Sequence, residues 1–475
     1  MAESYLEREL KFDVPAGFVV PELASLSPIS RTETAVHQLR NEYFDTPDHS
    51  LRLAQITLRR RTGDTDTGWQ LKVPHAPARE EIRLPLDGAE SVPTELAELL
   101  LGVRRGQPLQ PVAVLVTERT LTELLDADGQ KLAEVADDMV HASAGPTATE
   151  ISWREVEVEL GIGDEALLAE LAGLLRQHGA HPSASRSKLA RALVEGDQVA
   201  LVDPVQIYLV EQQRALIAGD LALRRGDATA IHKTRVATRR FRSTLRSFAT
   251  VLDQPLLQPL DTELRWYAGL LGEVRDRQVQ RAKLLAMVDE LDDTLLLGPV
   301  RMRIELELNR EQAEHWAELR QALRSQRYLE LLDSVHGFLQ ALPRESGSKK
   351  TLRKLMRKAD RKASRRLAGA AGGPDPELLH RARKAAKRAR YAGELVQPLG
   401  GRRAAEQASR NESLQELLGE HQDSLVSAEL LKRLASIAGT TPGENGFAYG
   451  VLYQRQLERA AELRQQAAEV ASSIS

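Results

Sequence analysis

The chain has 475 residues, and its 65 Lys and Arg residues nearly balance its 68 Asp and Glu residues, giving a formal net charge of −3. The absence of cysteine excludes disulfides and thiolate metal sites. Glu3, Glu7 and Arg8 exclude an apolar signal segment at the amino terminus, and no apolar run approaches the length of a membrane span. We therefore expect a cytoplasmic protein of two or three domains that makes no membrane contact.

Strand-like patterns dominate the first 200 residues. β-branched or alternating segments occupy residues 5–12, 55–61, 69–73, 79–86, 112–121, 132–140 and 153–160. Turn signals separate them, and helical periodicity is confined to residues 93–101 and 165–178. Many short strands with few helices indicate an α+β or closed-sheet domain, which we predict over residues 1–200.

From about residue 205 the pattern is helical almost to the end of the chain. Proline and glycine interrupt it at Pro255, Pro259, Pro299, Pro343 and residues 369–376, 398–401 and 439–446. The intervals are long enough for the helices of stacked bundles. We therefore predict a multidomain chain in which an α+β domain precedes an all-α domain at residues 204–475.

A histidine-led basic pattern occurs twice in the helical region. His232, Arg235, Arg239, Arg242 and Arg246 share one helical face, and the same spacing returns at His380, Arg383, Lys387 and Arg390. A Leu-Gly-Glu-x-x-Asp string follows each copy, at 271–276 and 418–423. The offsets of the histidines and of the glycines, 148 and 147 residues, agree and predict an internal duplication with copies near 204–345 and 348–475.

The duplicated basic face is a candidate polyanion surface. A single basic run is often only a solvated stripe, but such a stripe need not repeat its histidine and a distant acidic string in register. A third basic run at 349–366 carries ten Lys and Arg residues against Asp360. The candidate binding residues are His232, Lys233, Arg235, Arg239, Arg240, Arg242, His380, Arg383, Lys384, Lys387, Arg388 and Arg390.

Charged residues also recur at alternate positions of the predicted strands. They are Glu7, Glu9 and Lys11, then Arg59 and Arg61, then Glu155, Glu157 and Glu159. Such faces are either solvated or turned into a closed sheet. Three carboxylates on one strand face repel each other unless cations lie opposite, which favours the inward orientation. Carboxylates suit Mg²⁺ or Mn²⁺ and arginines suit phosphoryl oxygens, so the combination fits metal-dependent hydrolysis of a polyphosphate.

The ordered set resembles the CYTH family, the triphosphate tunnel metalloenzymes. Its pieces are Glu7-x-Glu9-x-Lys11, Arg59-x-Arg61 after residues 43–46, Trp69 to Lys72, Arg79-x-Glu81, Arg119, Glu134 with Asp138, Glu155-x-Glu157-x-Glu159, and Ser187-Lys188. The resemblance covers about residues 1–200. It implies an eight-stranded antiparallel β-tunnel that binds triphosphate together with a divalent metal.

The resemblance also implies roles for individual side chains. Lys11, Arg59, Arg61, Lys72, Arg119 and Lys188 would bind triphosphate. Glu7, Glu9, Glu155, Glu157 and Asp138 would hold metal, and Glu7, Glu9, Lys11 and Glu157 would be catalytic. Glu159 shares the face of the other glutamates and fits either role. Period-two spacing from Glu134 selects Asp138 over the adjacent Asp137.

The helical region resembles the CHAD family, the conserved histidine α-helical domain. The resemblance rests on the His232 and His380 motifs and implies inorganic polyphosphate binding on a basic surface between two helical bundles. A metal role for the histidines needs carboxylate partners, and none stands on their own helices. We therefore expect them to contact phosphate or the Glu273 and Glu420 type acids, which with Asp276 and Asp423 would tie the basic helices to their neighbours. Gly272 and Gly419 are interpreted as close helix packing.

Together these patterns predict an inorganic triphosphatase dependent on Mg²⁺ or Mn²⁺, with an appended polyphosphate-binding domain and a cytoplasmic location at polyphosphate granules. One alternative is a non-catalytic polyphosphate-binding, granule-associated protein. Others are thiamine triphosphatase or adenylate cyclase activity in the same tunnel. Nucleic acid is disfavoured as a partner, because aromatic residues make up 4% of the chain and offer few surfaces for base stacking.

Overall fold

The computed structural model describes residues 3–63, 67–75, 78–86, 88, 90–145, 149–185, 187–193, 203–252, 255, 257–343, 345–371 and 375–474. The chain divides into two compact units, Met1–Val199 and Ala200–Ser475. Each unit has hydrophobic clusters of its own.

The amino-terminal unit is built on one antiparallel sheet. Its strands are β1 (Glu3–Glu7), β2 (Glu9–Asp13), β3 (Arg31–Asp45), β4 (Thr57–Thr62), β5 (Gly68–His75), β6 (Ala78–Leu84), β7 (Gln110–Leu125), β8 (Lys131–Ala144), β9 (Thr149–Leu160) and β10 (His181–Pro182). They are ordered β1-β6-β5-β4-β3-β7-β8-β9-β2-β10 in the sheet.

The first strand segment closes the sheet into a tunnel. β1 pairs with β6 and β2 pairs with β9, although Arg8 alone separates β1 from β2 in the chain. Residues 5–12 are therefore two strands and not the single strand predicted from alternation. The break lets one segment serve both ends of the sheet, and the Leu160 N–H donates to the Arg8 carbonyl at 3.0 Å. The interior of a closed sheet receives alternate side chains of every strand.

Four helices accompany the sheet, namely α1 (Ser50–Leu53), α2 (Thr94–Leu99), α3 (Glu165–Gln177) and α4 (Lys188–Ala192). α3 covers the outer face of β2, β8 and β9, where its leucines pack with Val156 and Val158. Because these valines face α3, the alternating glutamates of β9 must face the tunnel. Of the two orientations considered for this charged strand face, solvated or turned into a closed sheet, the structure has the second.

β3 is absent from the strands predicted from the sequence. Its residues 31–36 are exposed on both faces, so no apolar and polar alternation marks them. β3 pairs with β7 from Arg31 to Asp45 and with β4 from Arg40 to Phe44. Non-local pairing, and not local hydrophobicity, holds this strand.

The carboxy-terminal unit is helical. Its helices are α5 (Pro204–Arg224), α6 (Ala230–Ser247), α7 (Ala249–Leu252), α8 (Leu257–Asp289), α9 (Val300–Leu323), α10 (Gln326–Gln340), α11 (Lys349–Ala371), α12 (Pro376–Gly400), α13 (Arg402–Ala438) and α14 (Phe447–Ile474). The predicted break at Pro259 is wrong, because that proline lies in the first turn of α8, where a missing N–H costs little. Within the described ranges, no helix combines the length and apolarity needed to cross a bilayer.

The long helices α13 and α14 contribute to two apolar clusters. Leu367 of α11, Leu379 of α12, Leu414 of α13 and Ala467 of α14 belong to one cluster. The other ends of α13 and α14 pack with the ends of α8 and α9 around Leu431 and the residues near it. The two proposed sequence copies are therefore joined by a shared core, and α6 and α12 occupy corresponding places in them.

Candidate functional site

The tunnel of the amino-terminal unit encloses a cavity of about 620 Å³ with a strongly charged wall. Its charged lining residues are Glu9, Lys11, Arg59, Arg61, Lys72, Glu81, Arg83, Arg119, Glu123, Lys131, Glu134, Glu157, Glu159 and Lys188. The uncharged lining residues are Leu39, Asn41, Tyr43, Thr57, Thr117, Leu121 and Ser187. All six bases predicted to bind triphosphate line this one cavity.

A buried carboxylate cage lies at one side of the cavity. It consists of Asp138, Glu155 and Glu157, and one carboxylate oxygen of each lies within 4.8 Å of the others. Asp138 and Glu155 are directly opposed on β8 and β9. The ammonium of Lys188 reaches all three, at 2.9 Å from Asp138, 2.7 Å from Glu155 and 2.8 Å from Glu157.

Local structure explains how Lys188 arrives in the cage. Lys188 is the first residue of α4, and the Ser187 side chain caps this helix by accepting from the Ala190 N–H at 3.1 Å. Leu189 and Ala192 of α4 pack among apolar residues of the sheet interior. The helix is thus anchored beside the cage, and its first side chain extends into the charged section.

Two further cations contact the cage. Arg119 donates to both oxygens of Asp138, at 2.8 and 2.7 Å, and to Glu157 at 3.1 Å. Lys11 donates to Glu157 and, at 3.0 Å, to Glu9. Burial opposes ionisation of Asp138 and Glu157, but the neighbouring cations outweigh it and lower the pKa of both carboxyls. Burial likewise opposes the charged form of Lys188, whose pKa the three carboxylates nevertheless raise.

The wall formed by β4 and β5 is mainly basic. Arg59 donates to Gln70 at 2.6 Å and to the Tyr43 hydroxyl at 3.3 Å, and Arg61 donates to Asn41 at 3.0 Å. Lys72 lies 3.5 Å from Glu81. Neutral groups therefore help to orient Arg59 and Arg61, and carboxylates contact Lys11, Arg119 and Lys188. The charge of these two guanidiniums is directed at the cavity.

A second acidic group lies further along the tunnel. Glu123, Glu134, Glu159 and Glu9 occupy directly opposed positions on the neighbouring strands β7, β8, β9 and β2. Lys131 bridges two of them, at 2.8 Å from Glu134 and 3.4 Å from Glu123. Four adjacent carboxylates repel one another, and a cation among them relieves that repulsion.

The tunnel interior ends in an apolar section beyond the cage. Tyr43, Leu115, Val140 and Trp153 pack there with Leu189 of α4, and all five are buried. This packing fills the interior of the sheet on the α4 side. A ligand of the cavity therefore meets charged groups along its length and an apolar barrier behind Tyr43.

The donor set fits a hard divalent cation. Asp138, Glu155, Glu157 and Glu9 supply carboxylate oxygens, the ligands that Mg²⁺ and Mn²⁺ prefer. Within the described residues, the cage is the grouping of three acidic side chains close enough to share one ion. Asp137, the alternative to Asp138, lies outside the tunnel and pairs with Arg154 at 2.6 Å. The Glu7 side chain lies outside the described residues.

Several site residues were not singled out from the sequence. Asn41, Tyr43, Gln70 and Glu123 line or support the cavity. Asn41 and Tyr43 lie on β3, and their period-two spacing would have indicated a shared face had that strand been recognised. Glu123 lies four residues from Arg119 on β7, and Gln70 lies two residues from Lys72 on β5, so each shares a strand face with a predicted site residue.

In the helical unit, α6 and α12 pack against each other and carry all twelve predicted polyphosphate-binding residues. Arg240 of α6 lies 3.0 Å from Glu394 of α12 and 5.7 Å from the centre of the Tyr391 ring. Five of the predicted arginines pair with acids. The pairs are Arg235 with Asp276, Arg240 with Glu394, Arg242 with Asp261, Arg383 with Asp423, and Arg390 with Glu394 and Glu412.

Arg239 and Lys387 differ from these paired arginines. Neither forms an ion pair among the described residues, and the Arg239 Nε is buried without a hydrogen-bond partner there. Burial, together with Arg383, Arg239 and Arg235, lowers the pKa of Lys387 to about 7. Burial and the neighbouring guanidiniums also lower the pKa of Arg239. Like charges gathered in a half-buried place form a site that an anion would stabilise.

The two histidines flank this cationic group. Burial lowers the pKa of His232, and Arg275, Arg239 and Arg235 lower it further. Burial and Lys384 do the same for His380, whose Nδ1 is buried without a partner among the described residues. Both are therefore neutral at pH 7 and can donate an N–H without adding charge. Glu377 and Glu394 lie on α12 together with His380, so the expectation that no carboxylate stands on that helix is wrong. Neither histidine, however, belongs to a cluster of potential metal ligands in the described part of the chain.

The repeated glycines make room for arginine side chains. A Cβ at Gly272 would lie 3.3 Å from Nη2 of Arg235, and a Cβ at Gly419 would lie 3.3 Å from Nη2 of Arg383. The close packing expected at each glycine is thus a contact with an arginine of the neighbouring helix, and that guanidinium pairs with the aspartate four residues after the glycine. Glu273 and Glu420 contact Arg277 and Arg459 instead of the basic helices.

Comparison with known proteins agrees with this division of the chain. The CYTH domain family model matches residues 6–193, and the CHAD domain family model matches residues 207–432. The chain belongs to the family of proteins in which a CYTH domain is followed by a CHAD domain. Members of the CYTH family are metal-dependent triphosphatases and cyclases whose tunnels bind triphosphates, so phosphoryl transfer is the general class of chemistry.

The similarity to relatives extends along nearly the whole chain. The uncharacterized protein MT2285 of Mycobacterium tuberculosis (strain CDC 1551 / Oshkosh) is 37% identical over 493 aligned residues, covering 97% of this chain and 95% of that one. Among solved structures, PptA from Streptomyces chartreusis has a TM-score of 0.48 and 22% identity, covering 57% of this chain and 98% of that chain. The CHAD domain from the plant Ricinus communis has a TM-score of 0.46 and 24% identity, covering 56% of this chain and 92% of that chain.

Proposed function

We propose that the tunnel hydrolyses inorganic triphosphate with Mg²⁺ or Mn²⁺ and that the helical unit binds inorganic polyphosphate. The observation that carries the first part is the division of one cavity into two walls. Arg59, Arg61 and Lys72 lie on one wall, and Glu9, Glu157 and Glu159 lie on the other, with Asp138 and Glu155 of the carboxylate cage buried beside Glu157. A polyphosphate chain with a divalent cation needs both kinds of wall.

The lining favours an inorganic substrate over a nucleotide or a thiamine ester. Tyr43 is the only aromatic side chain among the lining residues that the structure describes, and it is 4% exposed beside the apolar barrier. A purine or a thiazole ring would find no other aromatic ring to stack on among the lining residues that the structure describes. The remaining lining residues are mostly charged, which suits a substrate that is itself charged along its length.

The side chains divide the work by charge. Arg59, Arg61 and Lys72 bind phosphoryl oxygens, and Asn41, Gln70 and Tyr43 hold the two arginines in place. Glu9, Asp138, Glu155 and Glu157 would hold the metal, joined by Glu7. A bound divalent cation neutralises charge that develops on the phosphoryl group and orients the attacking water. Lys11, which contacts Glu9 and Glu157, positions both carboxylates.

A substrate panel tests this proposal. Full-length protein is incubated with tripolyphosphate, thiamine triphosphate, ATP or long-chain polyphosphate, each with Mg²⁺ and with Mn²⁺, and released phosphate is measured. We expect tripolyphosphate to have the highest kcat/KM. Preference for ATP or thiamine triphosphate would replace the proposed substrate by one of those alternatives.

A tunnel that binds without hydrolysis is the second candidate. The favouring observation is that all three cage carboxylates already contact Lys188, so the acidic wall is partly neutralised by the protein itself. This candidate predicts retention of tripolyphosphate in equilibrium dialysis with no phosphate release under any metal condition. Measurable turnover that is lost on addition of a chelator would exclude it.

Polyphosphate binding by the helical unit is supported by the cations that lack acidic partners. Arg239 and Lys387 lie between the paired residues Arg235 and Arg383, so a phosphate chain there gains contacts without first breaking ion pairs. Competition between polyphosphate and RNA at several salt concentrations separates the two polyanions. Binding of both polyanions weakens as the salt concentration rises, but we expect polyphosphate to displace RNA at every salt concentration.

A further inference from the structure

The position of Lys188 raises a question about how the cage takes up a metal. Its ammonium lies within 2.9 Å of an oxygen from each of Asp138, Glu155 and Glu157. One carboxylate oxygen of each residue lies within 4.8 Å of the others, and the ammonium contacts all three carboxylates, so it occupies the space between them. A divalent cation bound by the same three carboxylates would need that space.

We propose that Lys188 is an exchangeable counterion of the cage, displaced by the divalent metal and then available to the phosphate chain. The proposal rests on the proposed function insofar as triphosphate is the anion that receives the displaced lysine. Its first half, the competition between the Lys188 ammonium and a divalent cation, concerns metal binding alone.

Charge balance allows the cage to hold either the Lys188 ammonium or a divalent cation, but not both. The three carboxylates carry three negative charges when ionised, and Arg119 neutralises one through its paired hydrogen bonds to Asp138. Lys11, which also contacts Glu157, is balanced by Glu9 at 3.0 Å. The remaining two match one divalent cation. Lys188 alone leaves one of them uncompensated, and metal together with Lys188 would put an excess positive charge into a buried place. Exchange avoids both situations.

The fold permits this exchange without unfolding α4. Leu189 and Ala192 fix the helix among apolar residues, and Ser187 caps it. Lys188 therefore changes position only through rotation about its side-chain bonds, and a lysine side chain has a flexible stem of four carbons. Arg119 is less suited to leave, because its planar group makes two bonds to one carboxylate and a third to Glu157.

Exchange couples metal binding to anion binding. While Lys188 lies in the cage, its charge is satisfied by carboxylates and contributes little to binding a phosphate chain. A metal in the cage releases a cation that lines the same cavity as Arg59 and Arg61. Metal and triphosphate should therefore each bind more tightly when the other is present, beyond the contribution of direct contact between them.

Mn²⁺ binding to the full-length protein without any phosphate compound tests the competition. The concentration of free Mn²⁺ is followed by electron paramagnetic resonance for the wild type, Lys188→Met and Lys72→Met. Lys188→Met keeps the length of the side chain and removes the competing charge, so we expect it to bind Mn²⁺ about tenfold more tightly or better. Lys72→Met removes a charge from the other wall and is the matched control, with a smaller change expected.

Equal Mn²⁺ affinities for Lys188→Met and the wild type, or equal gains in the two variants, would overturn the proposal. Loss of the folded state in Lys188→Met would be detected by thermal unfolding, and in that case Mn²⁺ should restore its Tm more than it raises that of the wild type. Lys188→Arg supplies a second measurement, because a guanidinium remains as a competing cation and should give no gain in Mn²⁺ affinity.

These outcomes are separable from the proposed hydrolysis. If the wild type releases no phosphate from tripolyphosphate but Lys188→Met gains Mn²⁺ affinity, the counterion role stands and the hydrolytic function fails. If hydrolysis occurs and Lys188→Met gains no Mn²⁺ affinity, the function stands and the counterion role fails.

Discussion

The tunnel and the α6–α12 surface are both rich in arginine and lysine, but they compensate these charges differently. In the tunnel, Lys11, Arg119 and Lys188 each contact a buried carboxylate. On α6 and α12, Arg239 and Lys387 have no such partner among the described residues, and burial beside like charges lowers the pKa of both.

The difference indicates two ways to prepare a site for a phosphate chain. A tunnel with internal ion pairs stays stable without a ligand, but it must exchange partners when one binds. A surface with excess positive charge binds a polyanion directly and responds strongly to salt. Catalysis on a short substrate fits the first arrangement, and retention of a long chain fits the second.

The largest expected effect separates the two regions. Arg61→Ala removes a buried guanidinium from the basic wall of the tunnel, and we expect kcat/KM for tripolyphosphate to fall by about 100-fold or more. Arg60→Ala is the control, because Arg60 lies on the same strand, faces outward and pairs with Glu42 at 3.7 Å. Phosphate release measures turnover, and filter binding measures polyphosphate retention. A parallel loss of polyphosphate retention in Arg61→Ala would contradict the division of labour.

The reciprocal change concerns the helical surface. Arg239→Ala combined with Lys387→Ala removes both cations that lack acidic partners, and we expect the Kd for long-chain polyphosphate to rise by about tenfold or more. Triphosphate turnover should remain within experimental error of the wild type. Lys432→Ala with Arg455→Ala removes the same charge from exposed positions of α13 and α14 and should have a smaller effect. Equal losses in the two double variants would mean that net charge alone governs binding.

A smaller effect should appear as a pH dependence. The pKa of Lys387 is lowered to about 7 in the free protein, and a bound polyanion should raise it toward the ordinary lysine value. Binding then takes up a proton at alkaline pH, so affinity is highest below pH 7 and declines as the pH rises through 7, by about tenfold near pH 8. The charged groups that act on Lys387 are Arg235, Arg239, Arg383 and Asp423.

Isothermal titration calorimetry across this pH range measures the decline. Lys387→Met should bind polyphosphate more weakly at pH 7 and lose most of the pH dependence. A decline of the same size in Lys387→Met would assign the effect to another group.

The smallest expected effect tests whether Gly272 makes room for the Arg235 guanidinium. Gly272→Ala places a methyl group against the Arg235 guanidinium and should weaken polyphosphate binding by roughly two- to threefold. Gly269→Ala, on the same helix, meets no atom within 4 Å and should leave binding unchanged. Alanine favours helix by up to about 1 kcal/mol over glycine, so Gly269→Ala should raise the Tm more than Gly272→Ala does. Similar binding and Tm for both variants would remove the role assigned to Gly272.

Much of the candidate site was predictable because strand alternation is a local property. The parity of Glu155, Glu157 and Glu159 places them on one face, and the valines between them indicate that the opposite face is covered. The spacing of His232 and His380 with their basic residues likewise follows from the period of one helix. The strand β3 was missed because its exposed half has no apolar pattern and depends on pairing with β7.

Strand and helix periodicity identified which residues share a face. Motif spacing identified the repeat in the helical unit, and the first 200 residues were seen to contain both the acids and the bases of one kind of site. Tertiary structure alone decided which charges meet. The register of β8 on β9 brings Asp138, Glu155 and Glu157 together, and docking of α4 places Lys188 within ion-pair distance of them. Charge compensation depends on distance and burial, which periodicity along a chain does not specify.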